Sequence, residues 1–286
     1  MIVYGIILAV LVVTYFILSV ASRDKYTHMV EEFEGTYSLM FMAPVSLHVI
    51  FKLQIMEKFH SQIAHIQQKM ISLYGSRDAL RHTRMFLAQL VSIFLLGVLG
   101  STLIGLLQND HLIFGVGLGF SVLLPAIMIN QLSNKEKERK NQILVELPEV
   151  VNKIILLVNA GETVQQAIVR CVELKEKTDS PLFQELKIAV NKLTSNEPFP
   201  NVLNEFSKKC SIQEVSIFTT TVLLNYRKGG QDLILSLREL SHDLWEKRKN
   251  VSKTKGEEAS SKLVFPLILI FVAIMIIVGY PAITIL

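Results

Sequence analysis

The sequence is poor in the groupings from which active sites are built. It has no glycine-rich phosphate loop ending in Lys-Ser/Thr, no HExxH and no GxSxG, which removes the common nucleotide, zinc-protease and serine-hydrolase signatures. Cysteine occurs twice, at Cys171 and Cys210, without a CxxC and without histidine at zinc spacing. Two such thiols read as small core residues in a reducing compartment. A net charge of +4 is too mild to argue for nucleic acid. Lys, Arg, Asp, Glu and His are missing altogether from four long stretches, where Gln89 is the most polar side chain. Ion-coupled carriers keep ionisable groups inside their spans, so transport through this chain alone is disfavoured. Two ExxH steps, Glu57 to His60 and Glu239 to His242, resemble half of a di-iron site in a helical bundle. Glu239 and His242, however, flank the Leu237, Leu240 and Leu244 stripe, where solvated side chains are expected, and His60 and His65 do not share a helix face. No catalytic residue, cofactor or metal ligand is assigned.

What is present is hydrocarbon. Half of the residues are apolar and the mean hydropathy is +0.41, the composition of a polytopic membrane protein with one soluble module. Ile2–Val20 is long enough to cross ~30 Å of bilayer core. Ser19-Val20-Ala21 resembles a signal cleavage site, but no basic residue precedes the apolar run, so it reads as a retained anchor. Met85–Leu107 and Leu112–Ile129, joined at residues 108–111, predict a membrane hairpin. Gly97, Gly100, Gly115 and Gly119 are expected to be its points of close helix approach. Leu263–Leu286 is the last span, with Pro266 near its start and Pro281 near its end.

Charge placement sets orientation. All 29 Lys and Arg residues fall within 22–84 and 131–262. If both segments are cytoplasmic, the positive-inside rule holds without exception and four spans leave both termini outside. A fifth span at Tyr37–Phe51 would export Arg23 and Lys25, and that stretch is short and carries Pro44 and His48. The resulting division is an anchor at 1–21, a cytoplasmic amphipathic or membrane-surface region at 22–84, a hairpin at 85–130, a cytoplasmic bundle with its stalk at 131–262, and a final span at 263–286. In the second of these, Phe59, Ile63, Ile66, Met70 and Leu73 recur at helical spacing beside Lys58, Lys69, Arg77, Arg81 and Arg84. Such a helix suits an anionic membrane surface or packing on the main bundle, and both readings stay open.

The polar block carries helix after helix. Apolar stripes run through Ile143, Leu147, Val150, Ile154 and Leu157, then Val164, Ile168 and Cys171, then Leu182, Leu186, Ala189 and Leu193. They continue through Val215, Phe218 and Val222, and through Leu233, Leu237, Leu240 and Leu244. Gly161 is expected to cap the first helix in a left-handed conformation. Thr163 with Gln166 and Ser211 with Glu214 are expected capping boxes. Ser180-Pro181 opens a helix, Pro198-Phe199-Pro200 breaks the chain before a short helix around Val202–Phe206, and Gly229-Gly230 ends one. Trp245 closes the last stripe and reads as a packing residue. From Glu246 to Lys262 the pattern is polar all round, which predicts a stalk rising into the last span, with Gly256 as a hinge. The fold class is therefore all-α: a polytopic membrane protein with a cytoplasmic six-helix bundle.

Glu146-Leu147-Pro148-Glu149, Asn159-Ala160-Gly161, Lys228-Gly229-Gly230 with the long polar helix after it, and Lys262 to Pro266 together resemble the type II secretion system F-domain superfamily. The resemblance covers residues 144–285. With one F domain, an anchor, a hairpin and a last span, the chain is most similar to the Tad/Flp-pilus (TadC-like) branch, to which Ser72–Gly75 adds a weaker match. In place of the mid-domain glycine turn that the family often has, this chain carries Ser195 to Pro200. The resemblance implies an inner-membrane scaffold in bacteria, not an enzyme. Its partners would be a secretion or pilus ATPase, pilin subunits, membrane lipids, and itself or a second F-domain protein. Pro148, Gly161, Gly229, Gly230, Gly256 and Pro266 become structural or coupling candidates. Lys135, Lys137, Arg139 and Lys140, with Lys247, Arg248 and Lys249, read either as solvated ends of spans or as contacts to acidic lipid or the motor. A membrane-anchored helical signalling adaptor is the alternative.

Overall fold

The computed structural model describes residues 2–31, 33, 37, 39–108, 111–175, 180–226 and 230–284, and no strand occurs among them. The chain divides into two units, Met1–Arg139 and Lys140–Leu286. Four helices contain windows long and apolar enough to cross a membrane, within Gly5–Ser22, Arg77–Gln108, His111–Asn159 and Gln231–Val278. The apolar helix at Met40–Lys52 is too short to count with them.

The first unit holds α1 (Ile2–Glu31), a 3-10 turn (Met40–Met42), α2 (Ala43–Lys52), α3 (Ile55–Lys58), α4 (His60–Gln108) and the beginning of α5 (His111–Asn159). Pro44 lies in the first turn of α2, where its missing N–H leaves no bond unmade. α2 packs against α1 and α4, burying Val45, Leu47 and Ile50, and Ser46 hydrogen-bonds Ser92 at 2.7 Å inside this contact. α4 breaks at Gly75, where φ is 81° and ψ 165°, a conformation that a Cβ resists. Ahead of that break the amphipathic stripe finds a protein partner: Ile63, Ile66 and Met70 are buried in one core with Ile50, Met85 and Leu132. Phe59, at the start of the stripe, stays exposed.

The hairpin seam differs from expectation. A Cβ on Gly97 would lie 2.6 Å from Ser121 Cβ, and one on Gly117 would lie 2.7 Å from Ser101 Oγ. Gly100, Gly115 and Gly119 meet nothing within 4 Å. The seam is thus a reciprocal pair, Gly97-xxx-Ser101 against Gly117-xxx-Ser121, and a count of glycines alone picks the opposite face of α5. Ser101 Oγ also donates to the Phe114 carbonyl at 2.9 Å, which ties the two spans where hydrocarbon offers no other partner.

The second unit continues α5 and adds α6 (Val164–Glu173), α7 (Pro181–Thr194), α8 (Phe199–Cys210), α9 (Gln213–Asn225) and α10 (Gly230–Thr284). Neighbours in sequence are neighbours in space: α6 packs on α7, α7 on α8, α8 on α9 and α9 on α10. Ser241 Oγ on α10 donates to Asn152 Oδ1 on α5 at 2.6 Å, which joins the last helix to the first. Every stripe residue named from the sequence is buried in this core except Leu157, which packs partly against it. Both cysteines are free and buried, and burial pushes the Cys171 thiol up.

The punctuation is partly as expected. Gly161 has φ 97°, its N–H bonds the Val158 carbonyl and the Glu162 N–H the Leu157 carbonyl, a Schellman ending. Asn196 (φ 62°) repeats it through Leu193 and Lys192. The segment that replaces the mid-domain glycine turn therefore makes the same kind of turn, because asparagine tolerates this region better than most side chains. Thr163 and Gln166 form the capping box, and Ser180 Oγ accepts from the Phe183 N–H. Ser211 does not cap α9. It ends α8 at φ 54° and gives its hydroxyl to the Lys208 carbonyl, because a two-residue connection leaves Ile212 as the N-cap. The prolines at 198 and 200 start α8 rather than stand before it. α9 ends at Asn225, Gly229 lies outside the described residues, and Gly230 opens α10.

An excised 141–262 fragment is expected to give a helical far-UV spectrum and a cooperative urea transition. Gly161→Val should lower its stability by ~1–2 kcal/mol, the cost of a left-handed L-residue, whereas Asn196→Gly should be neutral or slightly stabilising. A mainly coil spectrum for the fragment would refute its autonomy.

Candidate functional site

Two grooves flank the α5–α6 corner of the second unit. A groove of about 630 Å³ lies on one side of it, lined among others by Glu162, Gln166, Arg170, Glu173 and Thr194. On the other side a second groove, about 390 Å³, reaches Asn225, Tyr226 and Leu233. Glu162, Thr163 and Gln165 line both. Local chemistry fixes this corner. The left-handed glycine reverses the chain, the capping box holds the start of α6, and Glu162 Oε1 accepts from Arg170 Nη1 at 2.5 Å. Glu162 Oε2 is out of solvent's reach and has no hydrogen-bond partner among the described residues. Sequence reasoning marked Gly161 but not Glu162. The signal was there, an acid directly after a capping glycine and eight residues before an arginine, but the pair spans a turn and no helical spacing reveals it.

The other candidates scatter. Pro148 is buried inside α5, where a missing N–H leaves one carbonyl a turn earlier without its helical partner. Around it, Glu146 Oε2 accepts from Ser180 Oγ at 2.5 Å and Glu149 pairs with Lys153 at 2.9 Å. Gly256 and Pro266 are exposed within the continuous α10. Of the cations, Lys247 reaches Glu214 at 2.7 Å. Arg248 lies over the Trp245 ring at 4.7 Å, and Trp245 is 45% exposed, so the tryptophan is a half-open platform rather than a packed core residue. Lys249, Lys135 and Lys137 are exposed, while Arg139 and Lys140 are half-buried. Glu57, His60, Glu239 and His242 are exposed, and the described residues hold no cluster of three or more His, Cys, Asp or Glu suited to a metal.

Two carboxylates are held below their ordinary range. For Glu149 the largest cause is the hydrogen bond from Lys153, opposed by burial and aided by the charges of Lys175, Lys153 and Arg248. For Glu205 it is the hydrogen bond from Lys192, at 2.5 Å. Ion pairs of this kind lace the bundle's surface, but none is arranged around a reacting atom.

Residues 150–281 match the family model for protein F of the type II secretion system. This segment is similar to an F domain. No curated protein and no solved structure matches the chain. Proteins of that family are non-enzymatic membrane platforms that work with secretion ATPases, and this chain has four helices long and apolar enough to cross a membrane. The matched region opens within α5 and closes in the apolar part of α10, so it includes the last candidate span.

A depressed carboxyl contributes stability above its unfolded pKa, ~4.3 for Glu, and loses it as pH falls through the lower folded value. Glu149→Gln and Glu205→Gln should therefore lower the urea midpoint of the F domain at pH 7. The difference from wild type should narrow as pH falls below ~4.3 and the native carboxylates take up protons. A gap that stays constant down that acid limb would mean that the side chains act by packing rather than by charge.

Proposed function

We propose that the chain is the inner-membrane platform of a Tad/Flp-type pilus or related secretion machine. Its F domain faces the cytoplasm and couples a secretion ATPase to the assembly or export of pilin subunits. The observation that carries this reading is the build of the F domain. A bundle with its own core ends in one helix, α10, whose residues 246–262 stand clear of that core and lead without a break into an apolar span. A domain meant only to tether or to bind would not need a continuous rod into the bilayer. Within the first unit, a Cβ on Gly5 would meet Leu106 at 3.5 Å, so the start of α1 and the end of α4 lie at one level. This supports a four-span topology in which the N-terminus and the 108–111 turn share the outer side, opposite every Lys and Arg.

Genetic, crosslinking and labelling experiments test the proposal. Deletion of the chain in its native bacterium should abolish pilus assembly or the matching secretion, as should an ATPase variant that cannot hydrolyse. A crosslinker placed on the exposed α5–α6 corner should capture that ATPase. An intact fibre in the deletion strain would refute the platform role. For topology, Asp110→Cys should react with an impermeant thiol reagent added outside cells and Asn250→Cys should not, the buried native thiols staying silent. The reverse pattern would overturn the orientation.

A further inference from the structure

The first unit contains a cavity of about 220 Å³ that the platform role leaves unexplained. One part of its wall is apolar, from Phe86 on α4 and Met128 and Leu132 on α5, and another is polar, from Gln89, Gln131 and Lys135. Among the described residues no carboxylate lines it. Met128, Gln131, Leu132 and Lys135 follow helical spacing and so share one face of α5. Gln89 is 8% exposed, and it sits in an apolar helix where a buried amide seeks a partner. Lys135 is exposed. Tyr37 and Tyr74 complete the wall. The Tyr37 hydroxyl is engaged by His82 Nδ1 at 2.8 Å, and burial raises its pKa far above the usual phenol range, so no negative charge forms there.

The cavity's height along the helix matters most. The apolar run of α5 ends at Ile129 and the charged run begins at Lys135, so the space lies where hydrocarbon gives way to headgroups. Its volume equals roughly seven waters at ~30 Å³ each, which suits a headgroup and not a whole lipid.

We propose that this cavity seats the phosphate-bearing headgroup of an acidic phospholipid. Lys135 balances the phosphate charge, the Gln89 and Gln131 amides donate to its oxygens, and the apolar wall follows the start of an acyl chain. This rests on the membrane placement proposed above but not on the ATPase or the pilus.

The test uses the purified full chain in neutral detergent, with melting temperature as the readout and added lipid as the variable. Short-chain phosphatidylglycerol should raise the melting temperature saturably, and phosphatidylcholine of the same chain length should not. Lys135→Gln and Gln89→Leu should each weaken the apparent affinity about tenfold, while Lys137→Ala, in the same charge run but outside the cavity, should retain it. Gln89→Glu should abolish the response by placing a like charge in the cavity. If Gln89 variants do not fold, Lys135→Gln against Lys137→Ala still decides. Equal losses from Lys135→Gln and Lys137→Ala would mean unspecific surface attraction and overturn the proposal. An equal response to phosphatidylcholine would also overturn it, and saturation by glycerol phosphate alone would overturn the membrane source. Each outcome is read without any fibre or ATPase, so failure here leaves the platform reading standing.

Discussion

The second unit depends on one constraint: six helices each carry a narrow apolar stripe, and none can be covered by water. Mutual burial is the solution, and it fixes the order of packing. Short connections force antiparallel neighbours, and the Ser241–Asn152 bond joins α10 to α5. A fully buried Leu or Phe is worth ~1.5–3 kcal/mol, so a core built on residues such as Phe218, Ile154, Leu186 and Leu203 needs no metal or disulfide. What the core leaves outside is just as informative. The last part of the bundle helix has no stripe left, and it continues as a solvated rod.

The coupling role proposed for that rod asks something different of the side chains than catalysis would. Catalysis needs groups converged on a reacting atom with shifted proton affinities. Here the shifted carboxylates, Glu149 and Glu205, are half-open partners of lysines on the bundle surface. The two grooves flank a rigidly capped corner whose buried carboxylate oxygen lacks a donor. A surface of this kind suits the recognition of another protein, where a cationic side chain could complete Glu162, better than it suits turnover.

The stripes were legible in the sequence because a period of 3.6 is a strong signal, and so were the cap at Gly161 and the box at Thr163. Other features depended on tertiary context. Ser211 has the residue spacing of a helix start, yet the chain needs it to end α8. The hairpin seam runs through Ser101 and Ser121 because close approach requires small side chains and not glycine in particular. Glu162 and the cavity beside Gln89 come from residues on different elements, and no local period brings those together. The apolar face of 59–73 was readable as a face, but its partner was not: Ile63, Ile66 and Met70 turn to the core of their own unit.

The central claim, that α10 transmits motion as a rod, is tested most directly by breaking the rod without disturbing either end. A flexible Gly/Ser segment inserted beside Gly256, which sits exposed in the rod with nothing within 4 Å of a built Cβ, should leave folding, membrane insertion and ATPase binding intact. Because a helix advances ~1.5 Å per residue and a Gly/Ser coil has no fixed length, it should uncouple the motor. The account predicts normal protein levels with fibre assembly or secretion lost, measured as surface pilin or secreted product per cell. Assembly at the wild-type rate with that insertion in place would contradict it, and would leave the F domain as a static anchor.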